Sequence, residues 1–233
     1  MTVRVLGLVP ARGGSKRAPG KNLALLGGQT LVRRALETAL ASGALADLVL
    51  SSDDPEILAQ ADGLDVVALP RPDQLAADRA LAYDVAMHAL AAMEARTGAR
   101  YDALALIQAT TPFTRPEDLS AAFALLARPG VDSVVTVCRI EDGRHPLKLK
   151  RMQGDRLIPF LRDDELTPSH DLPELWTRNG ALYASRRAVL SGGTLVGPDA
   201  HGLAMPRSRS VDINEPLDLA FAEFLLQRGP LDP

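Results

Sequence analysis

The stretch V-R-V-L-G-L-V-P-A-R-G-G-S-K-R-A-P-G-K-N, residues 3–22, joins an apolar run to a loop rich in glycine and cations. The run at 3–10 is typical of a strand that is covered on both faces. In the loop that follows, Gly13 and Gly14 leave room for backbone N–H groups to face a phosphate. Arg12, Lys16 and Lys21 add positive charge that would stabilise a bound polyanion such as a triphosphate.

Counting residues excludes two familiar phosphate-binding motifs for this loop. A P-loop needs four residues between its glycines and a hydroxyl side chain after its lysine, whereas five residues separate Gly14 from Gly20 and Asn22 follows Lys21. The dinucleotide-binding pattern G-x-G-x-x-G is absent from the sequence. The loop therefore indicates another kind of nucleotide site, with a solvated surface loop as the alternative.

Downstream of the loop, strand and helix patterns alternate along the chain. Strands are predicted at 48–51, 66–69, 103–108, 131–137, 181–184 and 209–213, and helices at 29–42, 55–61, 81–95, 116–127 and 216–227. Repeated β-α units predict an α/β fold with a mostly parallel, doubly wound sheet, which binds ligands beyond the carboxyl ends of its strands. Residues 140–176 contain four prolines and no helical period, so they predict a small lobe inserted into a single domain at 1–233.

Charge and composition exclude several classes of function. Residues 1–36 carry seven Lys or Arg and no acid, although the whole chain has a formal net charge of −3. A basic start on an otherwise acidic chain favours a local anion site over a nucleic-acid surface, with a solvated basic patch as the alternative. The single cysteine, Cys138, fits a reducing cytoplasm, and no apolar run is long enough to cross a membrane.

Six motifs resemble, in order, those of the acylneuraminate cytidylyltransferases. They are A-R-G-G-S-K-R-A-P-G-K-N (11–22), R-P-D-Q-L-A-A-D (71–78), L-I-Q-A-T-T-P (106–112), H-P-L-K (145–148), N-G-A-L-Y (179–183) and V-D-I-N-E-P-L-D-L (211–219). The resemblance implies a Rossmann-like nucleotidyltransferase fold and transfer of CMP from CTP to a sugar acid, with release of pyrophosphate. It also implies a homodimer with an exchanged small lobe, for which residues 140–176 are the candidate.

The resemblance also assigns roles to individual residues. Arg12, Lys21 and Asp212 would be the catalytic residues of an in-line displacement that has no assigned general base. The nucleotide-binding residues would be Ala11, Arg12, Gly13, Gly14, Ser15, Lys16, Lys21, Asn22, Arg71 and Ala80. Asn22 and Arg71 would contact the cytosine, although Arg71 could instead be a surface arginine. Gln108, Lys148 and Asn179 would face the acceptor.

Asp212 is the predicted ligand of a Mg²⁺ ion. Magnesium usually takes one or two carboxylates together with phosphate oxygens and water, and an apolar-flanked carboxylate needs a partner. The D-I-D motif common in the family is Asp212-Ile213-Asn214 here, so Asn214 offers a neutral and weaker ligand. Asp53 and Asp54 could also suggest a metal site, but Asp54 is better explained as a helix N-cap.

The acceptor side departs from the family pattern at three places. Ser169 stands where sialic acid enzymes often have an arginine, Arg178 is displaced by one residue, and Thr194-Leu195 replaces a pair of phenylalanines. The acceptor is therefore predicted to be a sialic-acid-like 2-keto-3-deoxy acid, with legionaminic- or pseudaminic-like acids included and another acid, such as a phosphonate, as an alternative. Two further alternatives are a different NTP:sugar nucleotidyltransferase and a non-catalytic nucleotide-binding protein.

Overall fold

The computed structural model describes residues 3–14, 19–161 and 167–229. Its strands are β1 (Val5–Pro10), β2 (Leu25–Leu26), β3 (Gln29–Thr30), β4 (Asp47–Ser52), β5 (Val67–Pro70), β6 (Ala103–Ile107), β7 (Ser133–Arg139), β8 (Lys150–Gln153), β9 (Arg156–Pro159), β10 (Trp176–Arg186) and β11 (Ala200–Ala204). Its α-helices are α1 (Leu31–Ala41), α2 (Pro55–Leu58), α3 (Asp73–Ala76), α4 (Ala82–Thr97), α5 (Pro116–Leu126), α6 (Arg187–Ser191) and α7 (Pro216–Arg228). Within these ranges, no helix combines the length and the apolar character that crossing a membrane requires.

Seven of the described strands form one sheet in the order β11-β7-β10-β6-β1-β4-β5. Every neighbouring pair is parallel except for the two pairs of β10, which runs antiparallel to β6 and to β7. The prediction of a mostly parallel sheet is therefore confirmed. The chain leaves the sheet after β7 and returns as β10 in the reverse direction. The spacing of the predicted strands does not reveal this reversal.

Helices cover both faces of this sheet. The apolar sides of α1, α2 and α5 pack on one face, and those of α4 and α6 pack on the other. The buried residues of β1 alternate between the two cores, since Val5 and Val9 belong to the first and Leu6 and Leu8 to the second. This two-sided burial explains why the opening strand has an almost continuous apolar sequence.

The register of the parallel strands brings their carboxyl ends together. Ser52 of β4 lies opposite Pro70 of β5. Beyond the strand ends, the Ala11 N–H donates to the Ser51 carbonyl at 3.0 Å, and the Arg71 N–H donates to the Ser52 carbonyl at 2.7 Å. The loops after β1, β4 and β5 therefore begin side by side.

The chain leaves the sheet after Arg139 and returns to it at Trp176. Between these points it forms the antiparallel β8–β9 hairpin and several 3-10 turns, none of which the sequence pattern indicated. The side chains of Met152, Leu157 and Phe160 are each more than 60% exposed. In the described part of this lobe, no apolar side chain is buried.

The strand predicted at 209–213 is wrong. Residues Arg207–Arg209 form a 3-10 turn, and the segment after it does not join the sheet. Ile213 instead packs with Leu26, Leu31 and Ala222 in a third apolar cluster beside α7. The apolar residues at 209–213 therefore reflect burial against α7 and the β2–β3 hairpin, which produces the same short pattern as a strand.

The edge strand next to β7 is β11, which the sequence pattern did not predict. Its residues A-H-G-L-A give only a weak apolar signal, because a glycine and a histidine occupy its centre. A Cβ atom on Gly202 would lie 3.2 Å from Cγ2 of Val137 on β7. A glycine inside a strand can mark such a close approach, and it lets β11 pack against the larger side chain of its neighbour.

A largely buried ion pair anchors the segment that leads to Asp212. Arg209 donates to Oδ2 of Asp118, and the two side chains are 14% and 11% exposed. Asp118 also accepts a hydrogen bond from the Arg115 N–H at 2.8 Å, which caps the first turn of α5. The amino end of α5 therefore positions the chain just before Asp212.

Replacing Asp118 should destabilise the protein. We expect Asp118→Ala to lower the free energy of unfolding by about 3 kcal/mol, because it removes both the ion pair and the cap. Glu117→Ala is the matched control, since Glu117 is exposed in the same helical turn; its effect should stay within about 0.5 kcal/mol. Urea unfolding measures both values, and equal effects would contradict this account of the anchor.

Candidate active site

A cavity of about 330 Å³ opens at the carboxyl end of the sheet. Its walls come from the loop after β1, the connection from β5 to α4, the end of β6 and the segment before α7. Eight of the residues assigned a role from the sequence line it: Arg12, Lys21, Asn22, Arg71, Ala80, Gln108, Asp212 and Asn214. The fold thus brings residues from both ends of the chain into one site.

The loop after β1 contributes two cations to this cavity. Nη1 of Arg12 donates to Oδ1 of Asp78 at 3.1 Å, and Nζ of Lys21 donates to the Ile213 carbonyl at 3.3 Å. Asn22 is buried, and its Nδ2 donates to the Arg12 carbonyl at 2.9 Å. The Asn22 side chain therefore fixes the backbone that carries Arg12.

Two carboxylates behind the loop have structural partners. Oδ1 of Asp53 accepts a hydrogen bond from the Gly13 N–H at 3.1 Å. Oδ1 of Asp54 accepts from the Glu56 N–H at 2.8 Å, which confirms the interpretation of Asp54 as the N-cap of α2. Neither acid lines the cavity.

Other residues of the loop differ in their surroundings. Ala11 is buried. A Cβ atom on Gly13 would lie 2.6 Å from Oδ2 of Asp54, whereas one on Gly14 would meet no atom within 4 Å. Ser15 and Lys16, both assigned to nucleotide binding, lie outside the described residues.

Arg71 is a buried cation at the base of the cavity. Its side chain donates to the Ser51 carbonyl at 2.7 Å and to the Ser51 hydroxyl at 3.3 Å. Burial lowers the pKa of the guanidinium, the negative charge of Asp53 raises it, and the positive charge of Arg12 lowers it. Because an arginine stays protonated in proteins, Arg71 is a fixed positive charge. Its burial excludes the alternative that it is a surface arginine.

Asp212 and Asn214, which both line the cavity, lie next to each other. Nδ2 of Asn214 donates to Oδ2 of Asp212 at 2.8 Å. Gly180 of β10 has a φ of 81°, and a Cβ atom there would lie 3.8 Å from the same carboxylate oxygen. The middle of β10 therefore packs against the Asp212 side chain.

The donor set around Asp212 fits a magnesium ion that is bound together with a nucleotide. One carboxylate and one amide can supply part of the oxygen shell, and phosphate oxygens and water can complete it. In the described ranges, no group of three or more His, Cys, Asp or Glu residues could hold a metal ion. The arrangement therefore lacks the ligand number of a metal centre built from protein side chains alone.

A second cavity, of about 300 Å³, adjoins the first, because Ala82 and Gln108 line both. Arg178 and Tyr183 of β10 supply polar groups to it. Gln108 at the end of β6 therefore stands where the two cavities meet. Molecules bound in the two cavities would therefore be neighbours.

Comparison with known proteins assigns the chain to a family. Residues 6–153 match the family model described as Cytidylyltransferase. The chain belongs to the cytidylyltransferase family. It is therefore a CTP-dependent nucleotidyltransferase.

Similar proteins confirm the resemblance to acylneuraminate cytidylyltransferases. A CMP-N,N'-diacetyllegionaminic acid synthase of Legionella pneumophila is 30% identical over 97% of each chain. A pseudaminic acid cytidylyltransferase of Campylobacter jejuni is 28% identical over 94% of each chain.

Two solved structures share the fold of this cytidylyltransferase. A CMP:2-keto-3-deoxy-manno-octonic acid synthetase complexed with CTP has a TM-score of 0.71 at 17% identity, with 97% of this chain and 99% of that chain covered. A 4-diphosphocytidyl-2C-methyl-D-erythritol synthase from Anaerococcus prevotii has a TM-score of 0.66 at 13% identity, with 98% and 100% covered. These likenesses confirm the Rossmann-like nucleotidyltransferase fold.

Two residues assigned to the acceptor line neither cavity of this cytidylyltransferase. Nζ of Lys148 donates to the Thr167 carbonyl at 2.9 Å within the lobe. Asn179 is buried, donates to the Ser210 hydroxyl at 2.9 Å and accepts from the Ala181 N–H at 3.2 Å. Their contact with an acceptor stays a prediction.

Asp78, Arg178 and Tyr183 are among the residues that line the cavities without a role predicted from the sequence. Asp78 and Tyr183 are the last residues of motifs quoted above, and Arg178 directly precedes one of them. The motifs thus point to the correct segments. Strand register and turns decide which side chain of a segment faces a cavity. The structure therefore shows that Arg178 and Tyr183 line the cavity, whereas Asn179 between them is buried.

The contrast between the two loop glycines predicts a difference in stability. Gly13→Ala should lower the free energy of unfolding by about 1–3 kcal/mol, because its Cβ would overlap the Asp54 side chain. Gly14→Ala should have an effect within about 0.5 kcal/mol, since the space around it is open. Urea unfolding compares the two variants, and a Gly13→Ala protein as stable as Gly14→Ala would contradict this packing.

Proposed function

We propose that this cytidylyltransferase transfers CMP from CTP to a hydroxyl of a sialic-acid-like 2-keto-3-deoxy sugar acid and releases pyrophosphate. The observation that carries the proposal is the cavity that joins Arg12, Lys21 and Arg71 to Asp212, with a second cavity adjoining it at Gln108. The names of the relatives, which refer to legionaminic and pseudaminic acids, support a sugar acid as the acceptor.

The walls of the first cavity suggest how CTP would lie in it. Arg12 and Lys21 provide positive charge for the phosphates, and the open space around Gly14 leaves room for them to approach the loop backbone. At the base, the Arg71 guanidinium and the Asn22 amide are of a type that can pair with the carbonyl, ring nitrogen and amino group of cytosine. Ala80 would flank the base, since it also lines this cavity.

The reaction would be an in-line displacement at the α-phosphorus of CTP. The acceptor oxygen forms a bond to phosphorus, the bond to the pyrophosphate oxygen breaks, and the proton of the acceptor hydroxyl passes to solvent water. Arg12 and Lys21 stabilise the negative charge that develops on the phosphate oxygens. The second cavity orients the acceptor, which converts an encounter of two molecules into a step within one complex.

We further propose that Asp212 is the main protein ligand of a Mg²⁺ ion. A bound Mg²⁺ would neutralise phosphate charge and help to orient the triphosphate. Asn214 would contribute less, because its amide is neutral and its Nδ2 donates to Asp212. The remaining ligands would be phosphate oxygens and water.

A screen of acceptors tests the proposed function. CTP and Mg²⁺ are incubated with a panel of 2-keto-3-deoxy sugar acids and phosphonates, and pyrophosphate release is measured. We expect release with at least one sugar acid, and faster turnover with CTP than with ATP, GTP or UTP. Asp212→Asn should lower kcat by about 100-fold or more. Asp65→Asn is the control, since Asp65 is exposed and lines neither cavity.

Several outcomes would contradict the proposal. Turnover with phosphonates alone would assign a different acceptor, and a preference for another NTP would assign a different nucleotidyltransferase activity. CTP binding without pyrophosphate release from any acceptor would indicate a non-catalytic nucleotide-binding protein.

The lone cysteine, Cys138, and the requirement for CTP support a cytoplasmic location.

We also propose that the protein is a homodimer in which the lobe at 140–176 packs against the partner subunit. The support is the exposure of Met152, Leu157 and Phe160 on the β8–β9 hairpin and just after it, because large apolar surfaces of this kind commonly mark protein interfaces. Lys148 belongs to the same lobe, so its predicted acceptor contact would be made in the site of the partner.

A double substitution in the lobe should disrupt this dimer. Leu157→Glu with Phe160→Glu places two charges on the exposed apolar surface, and burying them in an interface would be costly. We expect sedimentation to show a dimer for the unmodified protein and a monomer for the double variant. Leu217→Glu is the control, since Leu217 is 73% exposed on α7, outside the lobe. A monomeric unmodified protein, or a double variant that stays dimeric, would contradict the proposal.

A further inference from the structure

The second cavity has a single charged residue among the side chains that the structure places in its walls. These walls are formed by Ala82, Leu106, Gln108, Arg178, Tyr183, Thr194, Leu195 and Val196. Apolar side chains form much of the surface, and the uncharged polar groups are an amide, a phenol and a hydroxyl. An acidic molecule in this cavity would therefore meet one fixed charge, the guanidinium of Arg178.

A local irregularity of β10 turns Arg178 into the cavity. Arg178 and Tyr183 are five positions apart, so a regular strand would place them on opposite faces. Between them the pairing of β10 with β7 changes register, and Gly180 adopts a positive φ of 81°. A bulge of this type re-aims side chains, and here it lets Arg178 and Tyr183 line the same cavity.

The same irregular segment is tied to the site of the reaction. The Gln108 N–H donates to the Ala181 carbonyl at 3.0 Å, and Gln108 lines both cavities. Gly180 lies beside the Asp212 carboxylate, with 3.8 Å from a Cβ built on it to Oδ2. Arg178 is therefore two residues before Gly180, which packs against the proposed metal ligand, Asp212.

The guanidinium of Arg178 is available to a ligand. It is exposed, and the part of the chain that the structure describes offers it no hydrogen-bond or ion-pair partner. Arginines nearby are used differently, since Arg186 donates to the Val131 carbonyl at 2.8 Å and Arg187 pairs with Glu94. A planar guanidinium can bind a carboxylate or a phosphonate through two parallel hydrogen bonds.

We infer that Arg178 binds the anionic group of the acceptor and thereby selects acids over neutral acceptors. The inference rests on the proposed function, because it concerns the acceptor of that reaction. Arg178 would hold the acid so that its hydroxyl points toward Gln108 and the first cavity. Since Arg178 belongs to the second cavity and not to the first, its removal should weaken acceptor binding and leave CTP binding intact.

Steady-state kinetics with the sugar acid found in the screen test this role. We expect Arg178→Gln to raise the KM for the acid roughly tenfold to hundredfold, the range for losing one charge-assisted contact, with the KM for CTP unchanged. Arg178→Lys should fall between Arg178→Gln and the unmodified enzyme, because it keeps the charge but loses the planar geometry. Arg128→Gln is the matched control, since Arg128 is exposed and lines neither cavity.

A neutral analogue separates charge recognition from a structural effect. The unmodified enzyme should use the free acid far better than its carboxamide, and Arg178→Gln should remove most of that preference. An unchanged KM for the acid, or equal rises in KM for the acid and for CTP, would overturn the role of Arg178 while the proposed function stands. Absence of turnover with every acid, even by the unmodified enzyme, would overturn the proposed function and this inference together.

Discussion

Parallel pairing of β1 with β4, and of β4 with β5, is the constraint on which the site depends. The pairing continues past the strands through the bonds from Ala11 to Ser51 and from Arg71 to Ser52, so three loops start from one rigid edge. A slip of one residue would turn each side chain to the opposite face of its strand. Burial of both faces of β1 resists such a slip, because each core has its own set of fitted side chains. Packing far from the cavity therefore sets the positions of Arg12 and Arg71.

The cations at this edge have protein partners without a ligand, but Arg12 is held only loosely. Arg71 is held by the polar atoms of Ser51, whereas Arg12 pairs with Asp78 through side chains that are 33% and 45% exposed. An ion pair with that exposure contributes at most about 1 kcal/mol. A triphosphate carries more charge than one carboxylate, so it can replace Asp78 as the partner of Arg12 at little cost. The cations of the site thus have partners when it is empty, and Arg12 could exchange its partner for a polyanion.

The parts of the site that could be predicted from the sequence are those whose geometry is local. The loop after β1 follows from an apolar run next to glycines and cations, and the cap formed by Asp54 follows from its position before Pro55. The burial of Arg71 could not be predicted in this way, because it depends on how β4 and β5 pair. The strand wrongly predicted at 209–213 shows the same limit, since packing against α7 and pairing in a sheet require similar apolar residues. The direction of Arg178 depends on a change of register in β10, which leaves no periodic signal.

The two adjoining cavities address an electrostatic problem of the proposed reaction. An acid and a triphosphate must come close enough to react, and their like charges repel each other most strongly where little water remains between them. Cations on both sides of the junction would reduce this repulsion, with Arg12 and Lys21 in the first cavity and Arg178 in the second. Gln108, which lines both cavities, is uncharged and so adds no charge of its own at the junction. Asn214 beside Asp212 is also uncharged, so this pair adds only one negative charge to the first cavity. The distribution of charge along both cavities, more than any single residue, is therefore what suits this fold to joining two anions.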